Sequence, residues 1–228
     1  MQTNQAKNTH AQIYRLVGVA IFSALAYVAM LLIHFKVSFL TLDPKDAIIT
    51  LCGLCFGPVW ALVSSLIVAL AELPISSTGL YGLIMNFLGT AAFSVTVSLV
   101  YKWRKNFLSA ILGLVSGVLA MTAVMLLADL FIIPLYTPGV DISVVWNMIP
   151  KLLLPFNLIK GLFNASIVLL LYKPTVSALR RIGFLPKSEA KLRFDARTIL
   201  VMVAAILLIA ASLFVIFGLL NGSFKFGI

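Results

Sequence analysis

Six apolar runs, at about 13–34, 46–73, 80–101, 107–135, 150–172 and 198–220, leave only short loops between them. Each is long enough to cross the ~30 Å hydrocarbon core of a bilayer, where helices and closed barrels alone satisfy their backbone polar groups. Hydrophobic residues make up 62% of the 228 positions, charged residues 11%, and the mean hydropathy is +1.12. The chain reads as an all-α integral membrane protein. Its net charge of +10 would suggest nucleic acid in a soluble protein. Here Lys and Arg cluster between the apolar runs, as cytoplasmic loops require, so no nucleic-acid partner is expected.

The run at 46–73 is broken by Gly57-Pro58, where proline removes a backbone donor and disfavours helix before itself. One crossing there would put Lys102, Arg104 and Lys105 opposite the N-terminus, against the positive-inside rule. Two crossings bring them into line with Lys7, Arg15, Lys173, Arg180, Arg181, Lys187, Lys191, Arg193 and Arg197. Each half then has about 13 to 15 residues, roughly 20 Å of helix, and needs protein neighbours. Helices interrupted by Gly and Pro beside a polar cavity recur at transporter binding sites.

The expected organisation is a cytoplasmic tail (1–12), a six-helix core (13–182), a basic cytoplasmic linker (183–197), one extra C-terminal transmembrane helix (198–220) and an extracellular tail (221–228). The first run is expected to be retained as a helix rather than cleaved as a signal, because it continues past Ala24-Leu25-Ala26.

A charge at a bilayer centre costs roughly 2.5 to 3.5 kcal/mol on insertion scales, so intramembrane polar groups are informative. Asn157, Lys160 and Asn164 stand at i, i+3 and i+7, one helical face, inside PFNLIKGLFN. That stripe must point into protein or a cavity, unless Lys160 snorkels to the surface beside Lys151. Gly161 would let a ligand or another backbone approach. Glu72, Asn86 and Asp129 are the other candidates, with Asp129 or Glu72 as partner for Lys160.

Two outer loops could cover a site: HFKVSFLTLDPKDA, with Thr41, Asp43, Lys45 and Asp46, and the hydroxyl-rich ELPISSTGLYG. Phe35, Phe39, Tyr136 and Trp146 lie near the expected outer mouth and could stack on a ring. Ala20 and Ala24 form an AxxxA face on the first helix, suited to close helix docking. Cys52 and Cys55 lack the second pair a zinc site needs and read as packing residues. There is no GxxxxGK[ST], HExxH or GxSxG, so neither P-loop ATP hydrolysis nor those enzyme classes is expected, and no metal or resident cofactor.

LDPKDAIITLCGLCFGP, ISSTGLYGLIMNFLGT and LPFNLIKGLFNASIVLLLYKP, in that order, resemble the substrate-binding S components of energy-coupling factor (ECF) vitamin transporters. The nearest branch is the riboflavin-binding S components, and the resemblance covers about 13–182. It implies a six-helix protein in the cell membrane that captures a vitamin from outside and delivers it with a separate transmembrane coupling subunit and two ATPase subunits. By motif, Asn157 and Lys160 would contact ligand, Ala20 and Ala24 would meet the coupling subunit, and Thr78, Gly79 and Asn86 would belong to a segment closing over the site. Where riboflavin-type members carry an Asn-Tyr pair before the fifth-helix proline, this chain reads Asp129-Leu130, and Gly82-Leu83-Ile84 stands in place of Gly-Glu-Leu. The expected role is a non-enzymatic subunit binding riboflavin or FMN. The alternatives are an S component for another vitamin or precursor, an autonomous proton-coupled transporter relaying through Asp129 and Lys160, and a membrane enzyme with Glu72 or Asp129 as its acid.

Overall fold

Gly57 reverses the chain. In the computed structural model, which describes residues 2–104, 106–185 and 196–225, it adopts φ 106° and ψ 168°, a region open essentially to glycine alone. Helix α2 (Lys45–Phe56) ends there and α3 (Pro58–Glu72) begins, with Pro58 in the first turn where its missing N–H costs nothing. Lys45 at the start of α2 bonds Glu72 at the end of α3, so the two helices form an antiparallel hairpin, as the charge pattern requires. At 12 residues α2 spans only ~18 Å, and most of its residues are buried among α1, α3, α4 and α7.

The remaining helices are α1 (Gln2–Leu32), α4 (Leu80–Arg104), α5 (Phe107–Tyr136), α6 (Ile142–Met148), α7 (Leu154–Arg181) and α8 (Ala196–Gly218). A π-helical turn, Ile149–Leu153, joins α6 to α7 in one continuous run. Among the described residues, six helical runs are long and apolar enough to cross a membrane, and the short α2 makes seven helices. The expected N-terminal tail is the first part of α1, and the last helix is present as expected. Most of the basic linker, with Lys187, Lys191 and Arg193, lies outside the described residues, as does Lys105.

Small polar side chains stitch the bundle: Ser23 and Ser64 lie 2.8 Å apart between α1 and α3, and Ser65 and Ser94 3.3 Å apart between α3 and α4. Cys52 is buried in the main apolar core with Phe22, Phe93 and Val97, and Cys55 is partly buried. Both thiols are free. Gly161 packs against the Val118 side chain of α5, so its space serves helix contact rather than a ligand.

One feature departs from an all-helical expectation. The loop after α1 forms a hairpin of β1 (His34–Val37) and β2 (Leu40–Leu42), and β3 (Ser223–Lys225), from the expected C-terminal tail, adds to it in the order β2-β1-β3. All strands pair antiparallel. The sheet lies at the end of the bundle where α1 finishes and α2 starts.

Candidate functional site

At that same end the helices enclose a cavity of about 370 Å³. The β1–β2 hairpin, the loop from Glu72 to Thr78, and the adjoining halves of α1, α4, α5 and α7 line it. Its walls are mixed: Met30, Met85, Met121, Met125 and Leu40, with the rings of Phe39, Tyr136 and Phe156, make the apolar part, and hydroxyl, amide and charged side chains make the rest. Thioether side chains adapt to irregular shapes and contact aromatic faces favourably. A volume of this size falls within the roughly 300 to 1,000 Å³ typical of small-molecule pockets.

A buried charge cluster forms one side. Asp43, Lys45, Asp46 and Glu72 are all buried, and three carboxylates share the ammonium groups of Lys45 and Lys160. Lys45 Nζ lies 2.7 Å from each carboxylate oxygen of Glu72, and 3.8 Å from Asp43. Asn86 donates to Glu72 at 2.6 Å, and the Thr90 hydroxyl donates to Asp46 at 2.6 Å. Burial alone would raise the Asp43 carboxyl; Lys160 and Lys45 outweigh it and hold it below the usual carboxylate range.

The two lysines are held differently. Lys45 is gripped at short range and belongs to the structure. Among the described residues Lys160 makes one hydrogen bond, donating to the Thr41 carbonyl at 3.2 Å, while Asp43 and Asp46 lie 3.6 and 3.8 Å away, beyond hydrogen-bond range. An ammonium has three donors. Lys160 therefore keeps donor capacity, and its side chain, 12% exposed, reaches the cavity.

The structure brings together Asn157, Lys160, Asn86, Thr78, Thr41 and Tyr136 around the cavity. Asn157 Nδ2 donates to the Leu153 carbonyl at 2.9 Å, one turn back, in the π-helical turn. Such turns concentrate at functional sites, and this one ends one residue before PFNLIKG. Asn164 lies behind the wall instead. It accepts from the Ala47 N–H at 2.8 Å and donates to the Asp43 carbonyl at 3.0 Å, fixing the entry to α2. Gly79, at φ +55°, shapes the turn before α4 without lining the cavity.

Asp129 is fully buried on α5, one helical turn beyond the lining residue Met125 and beside the Asn157 side chain; among the described residues no donor lies within good hydrogen-bond geometry of either carboxylate oxygen. The expected pairing of Lys160 with Asp129 or Glu72 is corrected: its nearest acidic neighbours are Asp43, in the loop before α2, and Asp46, in the first turn of α2. Glu72 is instead buried against Lys45. Of the aromatics, Phe35 packs on Phe163 and Phe217, and Trp146 is exposed away from the cavity. Ala20 and Ala24 lie on the exposed face of α1. Among the described residues no group of three His, Cys, Asp or Glu is placed to hold a metal ion.

A helical membrane bundle closing around one partly polar cavity defines a membrane-embedded small-molecule-binding protein. The profile of the family "ECF transporter, substrate-specific component" matches residues 14–172, and the chain belongs to that family. It is 31% identical over 176 residues to the "Riboflavin transporter RibU" of Staphylococcus aureus (strain TCH60), covering 74% of this chain and 93% of that one. A protein of the same name from Streptococcus thermophilus (strain ATCC BAA-250 / LMG 18311) is 28% identical, over 72% of this chain and 84% of its own. A solved structure, "Structure and mechanism of the S component of a bacterial ECF transporter", superposes with a TM-score of 0.63 at 30% identity, covering 75% of this chain and 99% of that one. The protein is thus a multi-pass membrane protein of a transport family, and the family match ends before α8.

Proposed function

We propose that the chain is the non-enzymatic substrate-binding subunit of an ECF-type importer and that its cavity takes riboflavin, or FMN, from outside the cell. The observation that carries this reading is the incompletely engaged Lys160 ammonium facing a cavity of about 370 Å³ with thioether and aromatic walls. A flavin offers a flat ring for Met, Phe39 and Tyr136, and carbonyl acceptors for Lys160. One of the two Asn157 carboxamide N–H donors goes to the Leu153 carbonyl, and its oxygen is an acceptor for the ring imide N–H. The similarity to two proteins named as riboflavin transporters supports the same ligand.

Exposed Arg15, Lys102, Arg104 and Arg181 lie at the bundle end opposite the cavity, which by the positive-inside rule is cytoplasmic. The cavity then opens outward, with the N-terminus inside and the C-terminus outside. Release to the cytoplasm depends on a transmembrane coupling subunit and two ATPase subunits, met through the Ala20 and Ala24 face. Purified protein carrying Lys160→Ala should bind riboflavin about 10- to 100-fold more weakly, the value of a hydrogen bond from a charged donor. Unchanged affinity in a correctly inserted variant would reject the assignment.

A further inference from the structure

We propose that α8 and β3 form a tether that fixes the β1–β2 hairpin as a wall of the ligand cavity; this rests on the reading of that cavity as the binding site. A two-stranded hairpin is marginal on its own in water. Here β1 is the central strand, because β3 pairs along its free edge with His34 opposite Lys225, Phe35 opposite Phe224 and Lys36 opposite Ser223. The side chains lock as well. Ile216 of α8 is fully buried in one cluster with Val37 and Leu42 of the hairpin, and the Phe217 ring meets Phe35 edge-on at 5.6 Å.

The turn from α8 into β3 is specified locally. Asn221 takes φ +50°, a conformation asparagine tolerates better than most residues, and the Gly222 N–H donates back to the Ile216 carbonyl at 2.8 Å. The consequence reaches the site through Thr41, whose carbonyl accepts the one hydrogen bond of Lys160. Hairpin position therefore sets where that ammonium sits. This gives the helix beyond the family match a purpose other than anchorage: it holds one wall of the cavity while most of its own surface faces outward.

The test compares the full-length chain with the double variant Phe217→Ala, Ser223→Pro. Without ligand, amide exchange in residues 34–42 should speed up about tenfold or more while α4 and α5 keep their protection. Riboflavin release should accelerate by a similar, roughly tenfold, factor. Unchanged hairpin protection, or lost protection with unchanged release, overturns the tether. A second variant pair, Lys36→Cys with Ser223→Cys, joins facing strand positions; riboflavin release should slow on oxidation and recover on reduction, and indifference to oxidation contradicts the proposal. If the unaltered chain retains no riboflavin, the ligand assignment fails, and hairpin exchange still decides the tether.

Discussion

Lys160 and Lys45 show how residue-scale chemistry separates binding from structure. Both are lysines among buried acids, yet Lys45 is held at 2.7 Å by Glu72 and Lys160 only at 3.6 and 3.8 Å by Asp43 and Asp46. Removing one partner of a buried cluster strands the other charges, which typically costs about 3 to 5 kcal/mol. Lys160→Met should therefore lower thermal stability in detergent as well as ligand affinity. Adding Asp46→Asn should return part of the stability and none of the affinity, measured by melting and by riboflavin binding on the same preparations; equal loss in both variants would contradict the coupling. Lys160 was legible in the sequence because a charge inside an apolar run has few explanations. The Lys45–Glu72 pair was not, because each residue sits at a run's end, where hydration is the default, and 27 positions separate them. Asp129, named from sequence as a partner for Lys160, instead stands buried beside Asn157 on the stripe that carries Met125.

At the scale of elements, Gly57 allows α2 and α3 to lie side by side. A side chain there would have to adopt φ 106°, so Gly57→Ala should destabilise the protein by about 1 to 3 kcal/mol, seen as a lower melting temperature with the ligand site otherwise intact. A melting temperature equal to that of the unaltered chain would show that the turn carries no such constraint. The hairpin of helices was readable because Gly-Pro and the signs of the flanking charges agreed. The strands were not. With β1 of 4 residues and β2 of 3, periodicity has nothing to act on, and β3 joins them from the far end of the chain, a pairing no local pattern records. The π-helical turn before Asn157 was equally hidden, since Pro150 signals an irregular helix there without saying of which kind.

For the whole molecule, the cavity lies at one end of the bundle and the exposed basic residues at the other, while α8 packs on α7 and the small-residue face of α1 stays exposed. The proposed binding and docking roles thus fall on separate surfaces. Ala20→Trp with Ala24→Trp should abolish riboflavin uptake by cells while leaving binding to the purified chain within about twofold, because substitutions distant from a site usually act independently. Loss of both together would place those alanines in the bundle's own packing instead. Vesicles holding this chain alone should show no uptake under a proton gradient, and robust uptake there would favour an autonomous transporter. The most direct measurement is a riboflavin titration of the purified full-length chain, followed by quenching of flavin fluorescence, with Lys160→Ala in parallel. Saturation at one flavin per chain is expected, with the ring emission quenched on burial and the variant markedly weaker. No saturable quenching by the unaltered chain, or identical curves for the two proteins, would contradict it.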